Sequence, residues 1–103
     1  MHLEFFYADW CGVCQDRSPL VDQIASGAGL PLRRWNIMEC QGRAEAERRK
    51  IRTVPTLALI SGERVPFRIM GHKITPENVQ HLLSRFPPGE TVIEAAPDHV
   101  PSV

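Results

Sequence analysis

Residues 3–14 read LEFFYADWCGVC, and this stretch decides the fold class. Its first five residues are almost all apolar and predict a buried β-strand. Apolar residues then recur at positions 20, 21, 24 and 25, which predicts a helix from about residue 11 to residue 26. Cys11 and Cys14 therefore lie where a strand passes into a helix. A C-x-x-C pair in that context indicates a redox-active pair rather than a structural disulfide.

Length and composition predict one small globular domain of 103 residues, with 43% hydrophobic and 23% charged residues. The formal net charge is zero, which argues against nucleic acid or an anionic membrane as a partner. No apolar stretch approaches the ~18 residues that span a bilayer, and the N-terminus lacks the features of a signal peptide. Three cysteines are too few for a disulfide-stabilised secreted domain. We therefore expect a cytoplasmic protein.

The remaining elements follow in a regular order. Strands are predicted at 32–37, 56–60 and 65–70, and a charged helix at 41–51. The last helix begins at Pro76, after the N-cap residue Thr75, and carries an apolar stripe at residues 79, 82, 83 and 86. The order β-α-β-α-β-β-α requires a parallel crossover between the first two strands and a hairpin between the last two. An α/β fold with a four-stranded mixed sheet flanked by helices follows.

The C-terminal segment differs in composition from the rest of the chain. Residues 87–103 contain four of the nine prolines and only scattered apolar residues. We expect residues 1–86 to form the domain and residues 87–103 a flexible tail, with a short strand at residues 91–93 as the alternative.

The two cysteines can support thiol–disulfide exchange. A helix N-terminus presents free N–H groups and the positive end of the dipole, so it stabilises a thiolate on Cys11. Cys11, at the exposed first position, is the expected nucleophile, and the more buried Cys14 would resolve the mixed disulfide. The alternatives for Cys11 and Cys14 are a structural disulfide, an inert buried pair, and a zinc or iron–sulfur site. A metal site would have to recruit Cys40, His2 or His72, whose spacing matches no metal motif, so no metal and no cofactor is expected.

Several other residues have two interpretations. Pro55 enters an apolar strand, either as an ordinary edge or bulge proline, or in a cis Val54–Pro55 bond that leaves the Val54 backbone free to pair with a substrate. The charges of residues 43–50 predict a solvated helix face, with a patch for an acidic partner as the alternative. Cys40 is expected to be a semi-buried, unpaired spacer, or else a regulatory or dimerising thiol. We expect His72 to face solvent without a catalytic role.

Residues 7–14, with Pro19 five positions later, closely resemble the active-site segment of the thioredoxin family. The segment Thr53–Thr56 is similar to the cis-proline loop of that family, and Gly71 to the glycine after its last strand. The resemblance covers residues 3–86 and implies a thioredoxin-like fold with Cys11 as nucleophile and Cys14 as resolving thiol. The residues that would line a groove for protein substrates are Trp10, Gly12, Val13, Val54, Pro55 and Gly71. The implied activity is the reduction of disulfides in partner proteins by a monomer that a thioredoxin-reductase-type donor reduces in turn.

The chain departs from the family pattern in four ways. It lacks the usual first strand and helix, which makes it a minimal domain of glutaredoxin-like size. Val13 replaces the usual proline between the cysteines. Phe5 stands where the family has a buried acid behind the resolving cysteine, and the neighbouring Glu4 should point to the opposite sheet face. Arg34 stands where the family often has lysine. A glutathione-linked or oxidising exchanger, and a non-catalytic metal- or partner-binding module, are therefore retained as alternative functions.

Overall fold

The computed structural model describes residues 1–85, which form four strands, three α-helices and one short 3-10 turn. The order of the elements confirms the predicted β-α-β-α-β-β-α sequence. No helix within residues 1–85 is long and apolar enough to cross a membrane. The expected tail at 87–103, the alternative strand at 91–93 and Phe86 of the apolar stripe lie outside the described residues. The elements are β1 (His2–Tyr7), α1 (Gly12–Ala28), β2 (Leu32–Asn36), α2 (Cys40–Arg48), β3 (Thr56–Ser61), β4 (Arg64–Met70), the 3-10 turn (Gly71–Lys73) and α3 (Pro76–Arg85).

The four strands form one mixed sheet in the order β2-β1-β3-β4. Strand β1 pairs with β2 in parallel, whereas β3 is antiparallel to both β1 and β4. The mixed sheet is therefore confirmed, and β4 is an edge strand that tolerates Pro66 because a proline there can leave its missing donor on the open side. Since β1, β2 and β4 run in the same direction, all three end at the same end of the sheet.

Alternation along β1 and β3 divides the core into two layers. One layer packs the sheet against α1 and α3, and the other packs it against α2, so helices cover both faces as predicted. The first layer contains Leu3, Phe5, Val21, Ile24, Leu57, Leu59 and Val79. The second layer contains Phe6, Ala46, Ile51, Ala58 and Ile60.

The helix ends follow the local sequence closely. Helix α1 begins at Gly12, one residue later than predicted, because Cys11 has an extended backbone and is its N-cap. It continues past Pro19 to Ala28 and ends at Gly29, whose φ of 68° is left-handed, as glycine allows. Helix α3 has the predicted cap, since Thr75 Oγ1 accepts a hydrogen bond of 3.1 Å from the Asn78 N–H.

The charges of α2 do not form a simple solvated face, which corrects the expectation for residues 43–50. Glu45 and Arg49 turn inward to meet Glu4, which is only 1% exposed. Arg49 Nε lies 3.0 Å from Glu45 Oε2 and 3.5 Å from Glu4 Oε1, and His2 Nε2 lies 2.8 Å from Glu4 Oε2. Burial raises the pKa of Glu45, but hydrogen bonds from Arg48 and the rest of this cluster outweigh burial and hold that pKa below its ordinary value. The sequence pattern missed the cluster because Glu4 lies in a different element.

Candidate active site

Cys11 lies at the junction of β1 and α1, with its sulfur inside the first helical turn. Cys11 Sγ accepts a hydrogen bond of 3.1 Å from the Cys14 backbone N–H and lies 4.0 Å from the carbonyl oxygen of Val54. The N–H donor and the helix dipole both stabilise negative charge on this sulfur. Cys11 is only 7% exposed, which corrects the expectation of an exposed position. The reason is tertiary: Ala8, Val13 and Val54 pack around it.

Cys14 is buried one turn further into α1, as predicted, with 2% of its surface exposed. Burial raises its pKa to about 12, and the hydrogen bond and charge of Cys11 add to this effect, while a backbone hydrogen bond with Ala8 opposes it. Both cysteines are free thiols. At neutral pH Cys14 is therefore protonated, and it has to lose this proton before it can attack a disulfide.

The loop before β3 brings a cis proline against the cysteine pair. The Val54–Pro55 bond is cis, which decides between the two interpretations of Pro55. The Pro55 carbonyl accepts a hydrogen bond of 3.0 Å from the Gly71 N–H, so the start of the 3-10 turn is tied to the same loop. Gly71 has a φ of 62°, a left-handed conformation that favours glycine. The structure thus brings Val54, Pro55 and Gly71 together at the end of the sheet that carries Cys11.

The surface beside Cys11 carries apolar side chains. Trp10 is 67% exposed, Gly12 is exposed and Val13 is half-buried. The Trp10 indole N–H donates a hydrogen bond of 3.1 Å to the sulfur of Met38, which is 51% exposed. On the side of the cis-proline loop, the Thr53 hydroxyl donates a bond of 3.3 Å to the sulfur of Met70, which is 38% exposed.

The sequence interpretation missed Met38 and Met70. Each lies at or just after the end of a strand that runs in the same direction as β1. The predicted strand directions were therefore a signal that could have placed both residues at the end of the sheet that carries Cys11.

A cavity of about 370 Å³ lies behind Cys14. It is lined by Phe5, Tyr7, Ala8, Asp9, Cys14, Gln15, Ser18 and Arg34. Of the lining residues within 1–85, Asp9 is the one with a carboxylate. Asp9 is exposed, and its Oδ1 accepts a hydrogen bond of 3.1 Å from Asn36 Nδ2. A buried acid is thus absent from the described lining, as the sequence predicted.

Arg34 and Phe5 occupy the positions where the resemblance implied a lysine and an acid. The Arg34 guanidinium lies 5.6 Å from the centre of the Phe5 ring, a cation–π distance. It also donates hydrogen bonds of 2.8 Å to Ser18 Oγ and 2.7 Å to Asp22 Oδ1. Glu4 faces α2, on the opposite side of the sheet, as predicted. A cation stacked on an aromatic ring therefore stands behind Cys14 where the family pattern has an ion pair.

The side chains considered for a metal site do not converge. His2 pairs with Glu4, and His72 is exposed in the 3-10 turn, as predicted. Within the described part of the chain, no group of three or more His, Cys, Asp or Glu residues could hold a metal ion. Cys40 is exposed as the first residue of α2 and is not the semi-buried spacer that was expected, because the whole segment 38–40 between β2 and α2 lies at the surface.

The chain matches the family model described as Thioredoxin over residues 1–84. It belongs to the thioredoxin family. Among curated proteins it is 31% identical over 81 residues to "Thioredoxin M4, chloroplastic" of Arabidopsis thaliana, covering 79% of this chain and 42% of that protein. It is 30% identical to a thioredoxin-like protein of Synechocystis sp., covering 75% of this chain and 73% of that protein. The chain thus spans less than half the length of the Arabidopsis relative.

Solved structures agree with this family. A mutant thioredoxin from Halobacterium salinarum is 30% identical and superposes with a TM-score of 0.70, covering 88% of this chain and 76% of that one. Thioredoxin 1 from Thermosipho africanus also has a TM-score of 0.70, at 21% identity, with coverage of 84% and 93%. The predicted thioredoxin-like fold is therefore confirmed. Members of this family are in general thiol–disulfide oxidoreductases.

Proposed function

We propose that this thioredoxin-family chain reduces disulfides in partner proteins by dithiol–disulfide exchange through Cys11 and Cys14. The observation that carries the proposal is the position of Cys11 Sγ, 3.1 Å from the Cys14 N–H and beside the Val54 carbonyl. A sulfur held by an N–H donor at a helix start is poised as a thiolate nucleophile.

The exchange proceeds in two displacements. The Cys11 thiolate attacks one sulfur of the substrate disulfide, so that a Cys11–substrate bond forms, the substrate bond breaks, and the other substrate sulfur leaves and is protonated. Cys14 then loses its proton and attacks Cys11 Sγ. The Cys11–Cys14 bond forms, the second substrate sulfur leaves and is protonated, and two electrons have passed to the substrate. A thioredoxin-reductase-type donor returns them to the protein.

The surroundings of Cys11 suit an extended polypeptide substrate. The Val54 backbone lies beside the nucleophile and can pair with a substrate strand. Within residues 1–85, chain neighbours and the backbone of the same helix aside, no atom lies within 4 Å of the place where a Cβ of Gly12 or Gly71 would stand, so the approach is open on these sides. Trp10 and Val13 offer apolar contact, while Pro55 is itself buried and supports the loop that carries Val54. The protein would act as a monomer and in the cytoplasm, where the proposed free dithiol persists.

Reduction of insulin disulfides tests this function. We expect Cys11→Ser to abolish the activity and Cys14→Ser to accumulate mixed disulfides with substrate, because the second displacement is blocked. Cys40→Ser is the matched control and should leave the rate unchanged, since Cys40 lies at the start of another helix. Full activity of the Cys11→Ser protein would refute the proposal.

The reduction potential tests the direction of electron flow. A reductant of this type has a potential near about −270 mV, whereas a strong oxidant lies far above it, near about −120 mV. A potential close to the oxidant value would favour the alternative of an oxidising exchanger, for which Val13 and the missing acid behind Cys14 are the structural arguments.

A further inference from the structure

Two methionines flank the cysteine pair, and the proposed exchange reaction uses neither of them. Met38 and Met70 are 51% and 38% exposed, although methionine is an apolar residue that usually lies inside. The sulfur of each accepts a hydrogen bond from a residue of the site. The donors are the Trp10 indole N–H at 3.1 Å and the Thr53 hydroxyl at 3.3 Å.

We propose that Met38 is a site of reversible oxidation by peroxide, and that its sulfoxide repositions Trp10 and weakens the binding of protein substrates. Met70 is a second site of oxidation, where the sulfur is bound by the Thr53 hydroxyl and not by Trp10. The statement about substrates rests on the proposed function, whereas the statements about oxidation and about Trp10 do not.

The oxidation step needs only hydrogen peroxide. The O–O bond of the peroxide breaks, one oxygen forms a bond to Met38 Sδ, and the other leaves as water, so the sulfur is oxidised by two electrons and the peroxide is reduced by two. A thioether sulfur has two lone pairs, and the indole N–H engages one of them. With half of the residue exposed, the second lone pair is available to the oxidant. Methionine sulfoxide reductases reverse the step.

Oxidation changes both the hydrogen bond and the surface. A thioether is a weak acceptor, whereas the sulfoxide oxygen is a strong one that stands one bond away from the sulfur. The Trp10 indole N–H therefore moves toward this oxygen. The flexible apolar side chain of Met38, which suits contact with varied partners, becomes polar at the same time. Both effects alter the surface immediately before Cys11.

The third methionine of the chain provides an internal control. Met1 is 37% exposed, which matches Met70 in exposure, but it precedes β1 and so lies at the end of the sheet opposite Cys11. Its sulfoxide therefore lies too far from Trp10 to accept a hydrogen bond from the indole N–H. An effect that follows Met38 and not Met1 therefore belongs to the position and not to oxidation in general.

The test uses the full chain with Cys40→Ser and with Cys11 and Cys14 first joined as a disulfide, which protects them. Hydrogen peroxide is added and removed, dithiothreitol restores the dithiol, and peptide mass mapping locates each added oxygen. The chain has two tryptophans, so two indole N–H resonances are expected in the nitrogen-15 spectrum, and Trp10→Phe assigns them. We expect the Trp10 resonance to shift after oxidation in the parent protein but not in Met38→Leu.

The kinetic arm compares insulin reduction before and after oxidation. We expect KM to rise about fivefold, equivalent to about 1 kcal/mol of binding, with kcat unchanged, and a smaller rise in Met38→Leu. Oxygen on Met38 without a shift of the Trp10 resonance, or oxidation of Met1 with Met38 unmodified, would overturn the proposal. A shift with unchanged KM would overturn its substrate part. If the untreated protein reduces no insulin, the proposed function fails, while mass mapping still tests the oxidation of Met38 and the resonance shift still tests the movement of Trp10.

Discussion

Replacing Arg49, the C-cap residue of α2, with methionine should destabilise the fold more than any single charge removal within that helix. Arg49 has 6% of its side chain exposed and lies between Glu4 and Glu45, at 3.5 Å and 3.0 Å. Methionine keeps most of the side-chain length and removes the charge. Glu4, with 1% of its side chain exposed, then loses its arginine and keeps His2 at 2.8 Å, which offsets a buried carboxylate only when the imidazole is protonated.

The free energy of unfolding should fall by about 3–5 kcal/mol, the range found when one partner of a buried ion pair is removed. For a domain of this size, each kcal/mol lowers Tm by about 4–8 °C, so a fall of about 12 °C or more is expected. Urea unfolding followed by circular dichroism measures the free energy of unfolding. For the unmodified protein and for Arg49→Met, that free energy should decrease with urea concentration at the same slope.

Arg48→Met is the matched control. Arg48 pairs with the same Glu45 at 3.0 Å, but its side chain is 53% exposed, so solvent screens the pair and the loss should stay below about 1 kcal/mol. The double variant Glu4→Gln with Arg49→Met should recover part of the lost stability, because no unpaired buried charge remains at Glu4. If Arg49→Met costs no more than Arg48→Met, the buried cluster does not stabilise the fold and the reasoning is refuted.

Three further perturbations have defined outcomes. Gly42→Ala should lower the free energy of unfolding in urea by about 1–3 kcal/mol, because the new Cβ would overlap the Asn36 carbonyl. Gly27→Ala should raise it by up to about 1 kcal/mol, since no other part of residues 1–85 comes within 4 Å of that Cβ, and equal effects would contradict this. The Cys14 thiol, with a pKa of about 12, should resist iodoacetamide at neutral pH while the exposed Cys40 reacts, and early alkylation of Cys14 would contradict the burial argument. The free energy of unfolding should fall as the pH rises from about 9.0, where the unfolded Cys14 thiol ionises, toward 12. The depressed pKa of Glu45 contributes stability that is present above about pH 4.5 and is lost as the pH falls through the pKa of the folded state. If the free energy of unfolding of the unmodified protein and of Glu45→Gln falls in the same way with acid, this carboxylate makes no such contribution.

Local pattern was sufficient for the order of the elements. Alternation and helical spacing predicted the four strands and three α-helices, with the boundaries that fall within residues 1–85 correct to within three residues, because each depends on neighbours along the chain. The 3-10 turn was not predicted. The same holds for the cap at Thr75 and for Cys11 at a helix start, where the sulfur and its N–H donor are three residues apart. The chemistry of the C-x-x-C pair could therefore be inferred from residues 3–26 alone.

Contacts between distant segments required the tertiary structure. Met38 reaches Trp10 across 28 residues because β2 is parallel to β1 and ends beside it. Val54 reaches Cys11 across 43 residues because β3 is antiparallel to β1 and begins where β1 ends. The burial of Cys11 follows from that packing, as does the high pKa of Cys14.

The two sheet faces show the same division. The sequence by itself determined that Phe5 and Glu4 point to opposite faces, since side chains alternate along a strand. Only the tertiary structure placed Arg34 over the Phe5 ring and Arg49 beside Glu4. The reason is that alternation assigns a side chain to a face, whereas its partner on that face comes from another element whose register is set by packing of the whole core.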